Sequence, residues 1–138
     1  MRVVLDASVE LKWVLIEPNV DKALELRQEF QIGIHEFLAP DIFSIEIAHA
    51  LSKAHRQRKL SEEQANVHLA DILSTLPQLH SSVSLLPRAF ELSLQTRASL
   101  YDCLYLSLSE RERCSVLTAD ERLVNNLPGF PITLLSAL

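Results

Sequence analysis

Short apolar runs alternating with amphipathic helices predict an α/β fold, a parallel sheet with helices on both faces. Three observations carry this expectation. Arg2–Leu5 (RVVL) is a brief apolar run cut off by Asp6, the pattern of a strand buried on both faces. Ser115–Thr118 (SVLT) repeats it, with Asp120 just beyond. Helical stretches fill the space between, and no repeat, linker or low-complexity tract interrupts them, so residues 1–138 are expected to form one domain.

The remaining elements follow in order. Ala7–Leu15 reads as a short helix, and Pro18 opens a second one carrying Ala23, Leu24, Leu26, Arg27 and Phe30. Phe37–Ala39 is a strand ending at Pro40. Asp41 is placed to cap a long helix from Ile42 to about Arg58. Ser61 and Gln64 have the spacing of a capping box opening a helix to about Leu76. Val83–Leu86 reads as a strand, and Pro87 as a first-turn residue of a helix through about Thr96. Ser99 caps a helix from Leu100 to about Arg113. Asp120–Asn126 is a short helix and Ile132–Leu135 a last strand.

Composition narrows the function classes. A hydrophobic content of 48% against 22% charged residues is that of a globular chain with a proper core. Cys103 and Cys114 show no metal-ligand spacing, so neither a zinc site nor a disulfide framework is indicated, and a reducing cytoplasm fits. No run approaches a membrane span, and Asp6 breaks the opening MRVVLDASV as a signal-peptide core. The net charge of −5 runs against a nucleic-acid binder, although setting four candidate site acids aside removes most of the excess. With two glycines the chain holds no GxGxxG, no P-loop and no GxSxG elbow. Any chemistry on phosphate must then use a metal.

Four acids stand in apolar surroundings at strand ends or near helix starts: Asp6, Glu46, Asp102 and Asp120. Asp6 and Asp120 follow strands, where open α/β sheets bind ligands, but each is equally placed to cap the next helix. Thr118 offers a second cap there. Asp102, three residues after Ser99, can close a capping box or simply favour the positive end of the helix dipole. Glu46 lies too deep in its helix to cap it. A solvated stripe with His49 and Lys53 is its ordinary explanation. Together the four can converge on one sheet edge, where like charges repel unless a hard cation such as Mg²⁺ intervenes.

The blocks VVLDASVELKWVL, APDIFSIEIAHAL, LYDCLYLSLSE and VLTADERL resemble, in order and spacing, the PIN-domain ribonucleases, and among them toxins of the VapC type. The resemblance runs nearly end to end. It implies a Rossmann-like three-layer sandwich and a metal-dependent endoribonuclease in which Asp6, Glu46, Asp102 and Asp120 hold one or two Mg²⁺ or Mn²⁺ ions. Asp6 and Asp120 would be direct ligands aimed by strands; Glu46 and Asp102 would bind a second ion, position water or act as base. The resemblance also implies that Ser8 and Thr118 sit beside metal or substrate, and that Asn125 stands near a position where some relatives carry a further acid. A homodimer, an RNA substrate and a small antitoxin protein are the partners it implies.

Other residues are read more plainly. The basic run His55–Lys59 is either substrate grip or a helix terminus whose cations favour the dipole. Trp13, Tyr101 and Tyr105 are read as packing residues, and five scattered histidines show no ligand spacing. Two competing functions remain: a non-catalytic PIN-like RNA- or protein-binding module, and a dehalogenase-like phosphatase. The phosphatase would need Asp-x-Asp, whereas Asp6 is followed by Ala7 and Ser8.

Overall fold

A computed structural model describes residues 1–15 and 20–138, so the expected helix start at Pro18 lies outside the described residues. Among them, five strands form one sheet in the order β3-β2-β1-β4-β5, every neighbouring pair parallel. β1 (Arg2–Leu5) is central, with Val4 facing Leu38 of β2 (Glu36–Pro40) and Val116 of β4 (Val116–Thr118). Val3, Val4 and Leu5 are all buried in succession. Consecutive strand residues point to opposite faces, so both faces of the sheet are covered. The edges are β3 (Gln78–His80) and β5 (Ile132–Leu134).

Seven helices flank the sheet among the described residues, making an α/β sandwich. They are α1 (Ala7–Leu11), α2 (Val20–Gln31), α3 (Phe43–Arg56), α4 (Glu62–Leu73), α5 (Ser82–Thr96), α6 (Leu100–Glu112) and α7 (Glu121–Asn126). α3 buries Phe43, Ile47 and Leu51, a stripe at helical spacing. α6 differs: Cys103 to Ser109 are all buried, so this helix is enclosed on every side. Trp13 belongs to the core, as read.

Three local expectations need correction. Val83–Leu86 is not a strand but the first turns of α5, and Pro87 is its sixth residue. The Ser81 hydroxyl accepts from the Ser84 N–H and starts the helix early. Leu85, Ala89 and Leu92 then form its buried stripe, while Val83 stays 75% exposed. Proline there removes an N–H that would bond the Val83 carbonyl, and that exposed turn leaves the carbonyl to water. Asp41 does not cap α3. Its carboxylate accepts instead from the Ser82 N–H at 3.1 Å, while the Ser82 hydroxyl accepts from Ile42 N at 3.2 Å. This exchange ties the start of α3 to the start of α5. The first helix also stops at Leu11, four residues short of the expected end. The capping box at Ser61 and Gln64 forms in full.

Candidate active site

The chain runs from β1 outward to β2 and β3, then returns to place β4 on the other side of β1. The carboxyl ends of β1 and β4 therefore flank a topological switch point, the crevice where parallel sheets bind ligands. Asp6 follows β1, and Asp120 follows β4 by two residues. α3, entered from the end of β2, brings Glu46, and the first turn of α6 brings Asp102. All four line a single cleft of about 600 Å³ together with Ser8, Ile45, His49 and Tyr101.

Each acid is held differently, and the capping explanations separate accordingly. Asp6 makes no cap hydrogen bond to α1. Its Oδ2 accepts from the Ser8 hydroxyl at 2.5 Å and the Thr118 hydroxyl at 2.9 Å. Those hydroxyls are themselves anchored, Ser8 Oγ by the Ala119 N–H and Thr118 Oγ1 by the Asp120 N–H. One network thus joins the ends of β1 and β4. Asp120 does cap α7, accepting from Arg122 N at 3.0 Å, and it also forms a 3.4 Å ion pair with the exposed Arg122 guanidinium. At Asp102 only the serine half of the expected box forms, the Ser99 hydroxyl accepting from Asp102 N. Glu46 accepts from the Tyr105 hydroxyl at 2.5 Å.

Burial and mutual repulsion raise the carboxyls of Asp6, Glu46 and Asp102 above their usual range. Burial lifts Asp6, opposed by the Ser8 and Thr118 hydroxyls and assisted by the charge of Asp102. Glu46 is pushed up to about 7, first by burial and then by Asp6 and Asp102, against the Tyr105 hydrogen bond. Asp102 is raised by burial and by Asp120, with Ser99 and Arg122 opposing. The acids feel one another across four elements. Among the described residues, no three acidic, histidine or cysteine side chains are already closed into a cage for an ion. The cleft is a crowd of hard oxygen donors whose shared penalty a divalent cation would relieve.

Ser8 and Thr118 stand beside Asp6, with Thr118 fully buried. Asn125 is exposed on α7 and does not line the cleft. Reading the sequence missed Tyr105 as the partner of Glu46, and no local signal exists for a contact between residues 59 apart. It also missed Ile45 and Tyr101, 70% and 60% exposed at the cleft wall, where neither is core. A second groove meets the cleft at Leu11 and Ala50 and carries Lys53, Lys59 and His68. Part of the basic run therefore reaches toward the site.

A parallel sheet of this order with four acids at its switch point defines a class of protein, and the sequence comparison gives it a name. The chain belongs to the PIN domain family, whose model matches residues 3–126. It is 28% identical over 132 residues to Ribonuclease VapC3 of Pyrobaculum aerophilum, covering 94% of this chain and 98% of that protein. It is 36% identical over 101 residues to Ribonuclease VapC1 of Mycobacterium tuberculosis, covering 67% and 68% respectively. The fold is shared with VapBC2 from Rickettsia felis bound to a promoter DNA fragment, with a TM-score of 0.68 at 16% identity over 97% of this chain and 98% of that one. A toxin–antitoxin complex from Klebsiella pneumoniae superposes with a TM-score of 0.64 at 16% identity, over 96% and 97%.

Proposed function

We propose that this protein is a Mg²⁺- or Mn²⁺-dependent endoribonuclease, the toxin of a toxin–antitoxin pair, in which Asp6, Glu46, Asp102 and Asp120 form the active site. The observation that carries the reading is the convergence of these acids, from four separate elements, on one open cleft. Full-length similarity to a protein named as a VapC ribonuclease supports the activity. The two relatives solved as toxin–antitoxin complexes support a protein inhibitor as partner.

The donor set fits a hard divalent cation, since carboxylate oxygens dominate the cleft and no thiol enters it. When bound, one or two such ions neutralise charge developing on a phosphodiester and make water a competent nucleophile near neutral pH. The chain's own residues do the rest. Ser8 and Thr118 fix Asp6 by one oxygen at the cleft wall. Asp120, locked by the Arg122 backbone, lines the same cleft as Asp6. Glu46 and Asp102 position or deprotonate water. Lys53 and Lys59, on the adjoining groove, hold the RNA backbone as it leaves the cleft.

The protein acts as one domain and as a homodimer in the cytoplasm. α5 supports the dimer: Val83, Phe90 and Leu94 are exposed at helical spacing on the side opposite its buried stripe. Two free cysteines suit a reducing compartment, and no helix among the described residues is long and apolar enough to cross a membrane. Cleavage of single-stranded RNA in Mg²⁺ or Mn²⁺, stopped by EDTA and restored by excess cation, tests the reading; persistent cleavage in EDTA contradicts it. Phe90→Asp should convert a dimer to a monomer by light scattering while leaving the fold intact; a wild-type monomer contradicts the dimer.

A further inference from the structure

We infer that Tyr105 is a positioning residue of this site: its hydroxyl fixes one oxygen of Glu46, so that the carboxylate offers the other, oriented, to a divalent cation or its water. The inference rests on the cleft being a cation site.

The four acids differ in how they are anchored. Asp6, Asp102 and Asp120 have short side chains at the ends of strands or helices, and Asp6 and Asp120 are further tied to hydroxyls or backbone. Glu46 has a longer side chain, and its one tie reaches it from another helix. It sits in the first turn of α3, half-buried, on a side chain with an extra rotatable bond whose rotamer entropy opposes a fixed geometry. Among the described residues its side chain has one hydrogen-bond partner, the Tyr105 hydroxyl at 2.5 Å.

That partner is rigid. Tyr105 is 2% exposed, inside the stretch of α6 enclosed on every side. A phenol has one proton to give. Given to Oε1, it makes a charge-assisted bond and leaves Oε2 without a protein donor. The same helix carries Asp102 three residues earlier, about one turn away. α6 therefore sets the spacing between an acid of its own and an acid of α3. Hydrogen-bond partners behind a metal ligand typically govern affinity or activity by 10–100-fold.

A buried tyrosine that merely takes the nearest acceptor would look the same in a static structure, so the test must separate position from packing. Tyr105→Phe keeps the ring. Mn²⁺ binding by calorimetry without RNA should weaken about 10-fold. Cleavage should lose kcat by about the same factor, with KM for RNA unchanged. In a Glu46→Ala background the same substitution should change neither quantity further. Equal losses in both backgrounds, or wild-type binding and kcat in the single variant, overturn the inference while the cleft reading survives. A wild-type protein that neither binds Mn²⁺ nor cleaves RNA overturns both. Should Tyr105→Phe fail to fold, wild-type protein labelled at the tyrosine Cζ decides, because the chain holds only Tyr101 and Tyr105. The Tyr105 signal, assigned with Tyr101→Phe, should shift on Mg²⁺ addition with the calorimetric Kd; a signal that stays still overturns the inference.

Discussion

Two regions of this molecule bury carboxylates, and they do so by opposite means. In the cleft, Asp6 and Glu46 are met by hydroxyl donors and line an open space of about 600 Å³. One turn along α1 from Asp6, Glu10 is fully buried, and among the described residues neither of its oxygens has a hydrogen-bond donor. Arg27, whose charge acts on it, is committed elsewhere: it grips Asp71 at 2.8 and 2.9 Å and lies over the Trp13 ring at 5.1 Å. Burial accordingly pushes Glu10 up to about 9, Arg27 only partly opposing, so at neutral pH it is a neutral acid. The contrast teaches what marks a site. Donors that leave one oxygen free, with room beside it, prepare a carboxylate for a cation. Closure without donors makes it a proton-carrying part of the core.

The largest effect that can break this comparison is on catalysis. Asp6→Asn should reduce RNA cleavage by at least about 10²-fold, whereas Glu10→Gln should leave it within about twofold, as read in a gel assay. In the metal-free protein the same Asp6→Asn should be neutral or stabilising by about 1 kcal/mol, because it removes a buried like charge. Loss of activity with Glu10→Gln would erase the distinction between the two regions.

Next in size is pH. Glu10 holds its proton to about 9 when folded, against an ordinary value of 4.5. Between those values the unfolded chain binds fewer protons, so stability falls as pH rises through the window. Glu10→Gln should flatten that slope and gain roughly 2–4 kcal/mol relative to wild type near pH 8, measured by urea unfolding with EDTA present. An unchanged slope would mean that Glu10 titrates normally.

The smallest effect sharpens the comparison. Mg²⁺ at about 100 times its Kd should stabilise wild type by about 2.7 kcal/mol, several degrees in Tm. Glu10→Gln should keep that shift and Asp6→Asn should lose it.

The sheet centre was legible because β1 and β4 are short apolar runs that each stop before an aspartate, and Ser61 with Gln64 announced α4 correctly. β3 was not, since Gln78–His80 is an exposed edge strand without β-branched residues. Val83–Leu86 misled because a four-residue apolar run suits a buried strand and a helix start equally. At the site, the residue types and their order pointed to the four acids, and the fold supplies their common cleft. The Tyr105–Glu46 bond depends on how α3 and α6 pack, and the enclosure of Glu10 on how α1 sits beside Arg27 of α2 and Asp71 of α4, which no spacing along the chain encodes.

Diffraction from crystals soaked in Mn²⁺, using the metal's anomalous signal, tests the central claim most directly. The account predicts a peak in the cleft within coordination distance, about 2.0–2.3 Å, of oxygens from Asp6 and at least one of Glu46, Asp102 and Asp120, with none beside Glu10. A cleft without metal, or a peak that touches none of these four carboxylates, would contradict it.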